Sequence, residues 1–152
     1  MRVAVVGSLP ESLLNFRGDL LKKLVAQGHD VIGLADEAPK KVAEDLNEIG
    51  VSFLSFPIQR NGMNPIQDLK TYLALRSHFR NLNPDVVMAY TIKPIIWGGM
   101  ALRGLPRTRF FALITGLGFV FQGEGGVPGF LTFLVARSAK PMLVQRSRLL
   151  GL

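Results

Sequence analysis

Short apolar runs alternate with segments of helical period along the chain. The runs Arg2 to Val6, Asp30 to Leu34, Val51 to Phe56, Asp85 to Ala89 and Phe110 to Ile114 are rich in Val, Ile and Phe, the pattern of strands buried on both faces. A sixth candidate spans Pro141 to Val144. The first intervening helix is predicted from about Asn15, with Phe16, Leu20, Leu21, Leu24 and Val25 on one face and Gly28 as a left-handed cap. A second runs from about Ala38, with Pro39 in its first turn, to Gly50. The third carries the fullest start signal: Asn64 as N-cap, Pro65 at the first helical position and Gln67 where a capping box wants it. The apolar positions Leu69, Tyr72, Leu73 and Phe79 follow, and Asn83-Pro84 ends the helix. A fourth opens at Pro94 and includes Ile96, Trp97 and Met100. Strand-helix alternation with right-handed crossovers predicts an α/β domain with a parallel, doubly wound sheet.

Composition narrows this picture without changing it. The 152 residues fit one domain, and 48% apolar against 19% charged residues describes a globular chain. With no cysteine, disulfides, thiolate metal sites and cysteine nucleophiles are excluded, which fits a reducing cytoplasm. The apolar stretch after Met1 is too short for a signal peptide, and no window reaches the ~20 apolar residues of a spanning helix. Net charge is +7, and residues 101–152 hold 7 Lys/Arg against the single Glu124. Such a segment suits an anionic partner: nucleic acid, a phosphorylated ligand or a surface of acidic lipids. Nucleic acid has least behind it, because the arginines form no recognition motif.

In open parallel sheets ligands bind beyond the carboxyl ends of the strands, which singles out the loops Gly7 to Arg17, Thr91 to Pro94 and Thr115 to Gly126. Arg17 and Lys93 place cations at helix N-termini, where the macrodipole disfavours them. A bound phosphate would reverse that penalty; the alternative is a pair of side chains extended into water. Gly7-Ser8-Leu9-Pro10-Glu11 lacks the dinucleotide G-x-G-x-x-G spacing, the predicted helix starts several residues later, and no P-loop motif occurs. Thr115-Gly116-Leu117-Gly118 would let a ligand approach the backbone, with the Thr115 hydroxyl as donor or acceptor, or would serve as a plain tight turn. His29 and His78 form no metal pattern. Phe130 and Phe133 beside Arg137 and Lys140 match an interfacial membrane anchor, and equally an amphipathic helix packed on a neighbour.

Several pieces, in order and spacing, resemble the N-terminal half of family 4 glycosyltransferases. They are Ser12 to Gly18, Gly28 to Val31, Asn64-Pro65, Pro84 to Pro94 and Ala112 to Gly118, and together they cover about residues 1 to 125. Tyr90-Thr91-Ile92-Lys93-Pro94 and Ile114 to Gly118 are the specific ones. The likeness is strongest to bacterial enzymes that extend lipid-linked sugars for polysaccharides or glycoproteins. It implies a GT-B fold, in which two Rossmann-like domains face each other across a cleft, with residues 1–152 as the N-terminal, acceptor-side domain and the C-terminal donor-binding domain lacking.

The resemblance further implies transfer of a hexose or N-acetylhexosamine, with retention, from a nucleotide-sugar to a lipid-diphosphate-linked acceptor in cell-surface polysaccharide synthesis. No metal or other cofactor is implied, and the chain alone would be inactive. Asn15, Arg17 and Gly18 would face the donor phosphates, and Thr91, Lys93, Thr115 and Gly116 would line the acceptor side. No catalytic residue is assigned. After about Ala136 the pattern departs from the family, and Lys140 to Leu152 reads as a basic tail. The alternative is a noncatalytic adaptor, peripheral on the inner face of the plasma membrane through Phe130, Phe133, Arg137 and Lys140, that recruits a separate donor-binding chain.

Overall fold

The computed structural model of the protein describes residues 1–60, 62 and 64–114. Five strands form one sheet: β1 (Arg2–Val6), β2 (Asp30–Ala35), β3 (Val51–Ser55), β4 (Val86–Tyr90) and β5 (Arg109–Leu113). All pairings are parallel and the spatial order is β3-β2-β1-β4-β5. Each predicted strand is thus present to within one residue at either end. The candidate at Pro141 to Val144 lies outside the described residues.

Five helices connect the strands: α1 (Pro10–Asn15), α2 (Gly18–Ala26), α3 (Lys40–Glu48), α4 (Pro65–Leu82) and α5 (Ile92–Ala101). The helix expected from Asn15 is preceded by α1, six residues long and opened by Pro10. Such a short helix offers too few turns for a periodic signal. Phe16, placed by the period on the buried face, sits at the joint between α1 and α2 and is 74% exposed; Leu13 of α1 and Leu21 of α2 are fully buried instead. Gly28 and Gly50 carry φ of 81° and 82°, the left-handed caps their positions predicted.

Side chains alternate between two cores, one on each face of the sheet. Val3, Val5, Val31 and Val51 meet Leu13, Leu21 and Leu46 of α1, α2 and α3. Ala4, Val6, Ile32 and Val87 meet Leu75 and Phe79 of α4 and the end of α5. Helices therefore change face between β1 and β4, and the chain reverses direction across the sheet there. That junction is the topological switch point, where parallel sheets open a crevice.

The start of α4 follows its sequence signal, with the Asn64 Oδ1 accepting from the Ile66 and Gln67 N–H groups at 3.1 and 3.4 Å. Its buried face does not. Leu69 and Leu73 are 55% and 53% exposed, whereas Thr71, Leu75 and Phe79 face the core. Thr71 is accommodated because its hydroxyl donates to the carbonyls of Pro57 (2.7 Å) and Gln67 (3.1 Å), so its own buried oxygen is not left unpaired. The run Tyr72-Leu73-Ala74-Leu75 is apolar on every side, and its period alone does not fix which side turns inward.

Candidate functional site

At the switch point the segment after β1 meets the segment after β4. Tyr90, the last residue of β4, points to the α1–α2 face and is only 3% exposed. Its hydroxyl lies 2.7 Å from Ser12 Oγ of α1. Ser12 donates its only proton to the Leu9 carbonyl at 2.5 Å, so the phenol is the donor in the Tyr90–Ser12 bond. Burial holds the Tyr90 phenol above its ordinary value of 10.0, opposed by the Arg17 charge. The Tyr90 ring also explains Gly7. A Cβ there would overlap the Tyr90 hydroxyl and the ring carbon that bears it.

The next residue, Thr91, stands at φ 67° and ψ 153°, a region that β-branched side chains avoid. Its Oγ1 lies 2.8 Å from Ser8 Oγ. Two hydroxyl pairs, Ser12 with Tyr90 and Ser8 with Thr91, thus stitch the β1–α1 segment to the end of β4 across the crevice.

Arg17 is the N-cap residue of α2, with its guanidinium carbon 5.1 Å from the centre of the Tyr90 ring. Nη1 donates to the Phe16 carbonyl at 3.2 Å, while Nε is buried and has no acceptor among the described residues. No carboxylate among the described residues forms an ion pair with it. A cation with an unsatisfied buried donor suits an anionic oxygen, since an unpaired donor of this kind costs about 1–3 kcal/mol.

Lys93, in the first turn of α5, behaves differently. Its ammonium lies 2.9 Å from Asp68 Oδ1, and the two side chains are 17% and 14% exposed. Sequence reasoning offered an anion or open water as its fate; the structure supplies a third, a carboxylate from the first turn of α4. Asp68 neutralises the charge and leaves Lys93 two further N–H donors.

Of the residues expected to face donor phosphates, Asn15 is exposed at the end of α1 and Gly18 is buried at the start of α2. A Cβ on Gly18 would meet nothing within 4 Å among the described residues, so their packing does not require glycine there. Arg17, expected to face the donor phosphates, lies over the Tyr90 ring, and Thr91, expected on the acceptor side, is the residue after Tyr90. Thr115 and Gly116, and the membrane-facing candidates Phe130, Phe133, Arg137 and Lys140, lie outside the described residues. Ser8, Ser12, Tyr90 and Asp68 carry no assigned role in the sequence. Tyr90 carried one usable signal, an aromatic hydroxyl closing an apolar strand at the ligand-binding edge. Asp68 read as an ordinary first-turn acid.

Among the described residues no group of three or more His, Cys, Asp or Glu side chains could hold a metal ion. His78 Nε2 lies 3.0 Å from the Ser55 carbonyl. No helix among the described residues is long and apolar enough to cross a membrane.

Comparison with known proteins bears on the family and the fold. Residues 16–149 match the model of the glycosyl transferase 4-like domain. No curated protein sequence matches. Among solved structures, MurG from Acinetobacter baumannii is similar with a TM-score of 0.55 and 20% identity, over 73% of this chain and 33% of that one. The glycosyltransferase VinC, solved in complex with DTDP, has a TM-score of 0.56 and 15% identity, over 91% and 38%. A triple mutant of a deacetylase involved in the teicoplanin biosynthetic pathway has a TM-score of 0.63 and 11% identity, over 97% and 86%. At these identities the likeness is one of fold. The chain spans 33% of the length of MurG and 38% of that of VinC.

Proposed function

Because the chain belongs to the glycosyl transferase 4-like domain family and folds as a Rossmann-like half of a GT-B enzyme, we propose that it forms the acceptor-side wall of a sugar-transfer cleft. The observation that carries this reading is the Arg17 guanidinium at the switch point, with a buried Nε–H that lacks an acceptor among the described residues. The donor is a nucleotide-sugar held mainly by a second Rossmann-like unit, on the same polypeptide or another. The acceptor is a saccharide or sugar linked to a lipid diphosphate, of the kind extended in cell-surface polysaccharide synthesis.

In the reaction the bond between the sugar's anomeric carbon and the donor diphosphate breaks, and a bond from that carbon to an acceptor hydroxyl forms. The hydroxyl proton is released, and the nucleoside diphosphate departs with the bonding electrons. Negative charge therefore grows on the leaving phosphate oxygen. A fixed guanidinium stabilises such charge better than water, because it needs no reorganisation during the step. Arg17 serves this role, or holds the acceptor diphosphate that competes for the same donors. Thr91 and Ser8 offer hydroxyls to the acceptor, and Lys93, neutralised by Asp68, acts as a hydrogen-bond donor rather than a net charge.

The test is calorimetric titration of the full 152-residue chain with a short-chain prenyl diphosphate carrying N-acetylhexosamine, beside the same sugar on the prenyl alcohol. Saturable binding of the diphosphate compound alone, lost in Arg17→Ala, supports the reading. Equal binding of both compounds, or of neither, counts against it.

A further inference from the structure

Among the described residues the guanidinium of Arg17 has no carboxylate to fix it, yet it lies over an aromatic ring that is itself held at several points. We propose that Tyr90 is a positioning residue, which sets the Arg17 guanidinium over the crevice between the carboxyl ends of β1 and β4 so that its free donors meet an anionic ligand. This rests on the reading of the crevice as a diphosphate site, and names the residue that orients it.

The argument begins with what immobilises the ring. Tyr90 ends β4, and its strand register is fixed by parallel pairing with β1 on one side and β5 on the other. Its hydroxyl donates to Ser12 Oγ, and Ser12 is anchored in turn to the Leu9 carbonyl. Gly7 completes the seat, since any side chain there would overlap the phenol. A buried, neutral phenol suits this duty, because the raised proton affinity of Tyr90 keeps its donor hydrogen in place through physiological pH.

The ring then acts on Arg17 through its face. A guanidinium within about 6 Å of an aromatic centroid is attracted by the ring quadrupole, and the attraction strengthens where water is excluded. A guanidinium held over a ring face by its central carbon does not spend its N–H donors on that contact, and those donors are what phosphate recognition uses. Nη1 is partly used by the Phe16 carbonyl and Nε is not used at all. Besides the ring, the Phe16 carbonyl is the polar partner that holds the guanidinium among the described residues.

A double-mutant cycle on the full chain decides the proposal, with inorganic pyrophosphate as the probe. Tyr90→Leu and Arg17→Ala are each expected to weaken pyrophosphate binding about tenfold, the upper range of a partly desolvated cation–π contact. The double variant should bind no more weakly than Arg17→Ala alone, because Tyr90 acts only through Arg17. Multiplying losses would overturn the proposal.

A second readout works without any ligand. The Arg17 δ-proton resonances should be displaced upfield in the wild type by the ring below them, and should return to ordinary values in Tyr90→Leu. Resonances that stay put in the variant also overturn the proposal. Should Tyr90→Leu fold poorly, Ser12→Ala keeps the ring and removes its clamp; it is expected to broaden or move the same resonances, and unchanged resonances there count against the proposal. If the wild type ignores pyrophosphate, the diphosphate reading fails, while the resonance comparison still decides whether Tyr90 positions Arg17.

Discussion

The Lys93 ammonium lies 2.9 Å from the Asp68 carboxylate, joining the start of α5 to the start of α4 in a pair that is largely removed from water. Two helix N-termini are thereby tied together beneath the crevice, and a cation that looks free in the sequence is spoken for. Removing one partner strands the other charge. Asp68→Ala is expected to cost about 3 kcal/mol in urea unfolding, the range for breaking a buried pair, whereas Asp68→Leu with Lys93→Met should restore most of the loss. A neutral Asp68→Ala would show that the pair is solvated.

Glycines at two positions near the crevice should respond in opposite ways. Gly7→Ala drives a methyl group into the Tyr90 phenol and is expected to destabilise the domain by about 1–3 kcal/mol. Gly18→Ala meets open space in the first turn of α2 and should raise stability by about 0.5 kcal/mol. If a phosphate approaches the backbone at Gly18, the stabilised variant will bind the prenyl-diphosphate sugar more weakly. Denaturant midpoints and calorimetric affinities measured on both variants check the contrast.

The Tyr90 phenol gives stability a pH dependence of definite sign. Its folded-state proton affinity is raised above the ordinary 10.0, so the folded chain holds this proton more tightly than the unfolded chain does. The contribution is complete below about pH 10 and is lost as pH climbs through the higher folded value. Unfolding free energy should therefore fall on the alkaline side, and Tyr90→Phe should remove that part of the slope. The wild-type slope persisting in the variant would assign it to other groups.

The roll of α4 is checked by two truncations. Leu75→Ala should cost about 2–5 kcal/mol, as for a fully buried leucine, while Leu73→Ala, on the exposed side, should change stability by less than about 0.5 kcal/mol. Similar losses at both positions would contradict the observed register.

What the sequence disclosed follows from which forces act locally. The strands were legible because burial on both faces leaves an unbroken apolar run, as in Val3-Ala4-Val5-Val6. The cap at Asn64 and the left-handed turns at Gly28 and Gly50 were legible because their chemistry lies within a few residues. The rule that places ligands beyond the carboxyl ends of the strands points to the loops that hold Arg17 and Thr91. By contrast, Asp68 reaches Lys93 across 25 positions, and Ser12 reaches Tyr90 across 78. Neither partner shows its role until the fold brings them together. The short helix α1 was missed because six residues complete fewer than two turns.

The account stands most directly on where a diphosphate-linked sugar touches the chain. Backbone amide shifts of the full, isotope-labelled chain, followed as a short-chain prenyl-diphosphate N-acetylhexosamine is added, supply that map. The predicted result is one contiguous set of perturbed amides at Ser8, Arg17, Gly18 and Thr91, absent in Arg17→Ala. Perturbation confined to the opposite end of the sheet, around Lys22, Val25 and Gly50, or no perturbation at saturating ligand, would contradict it.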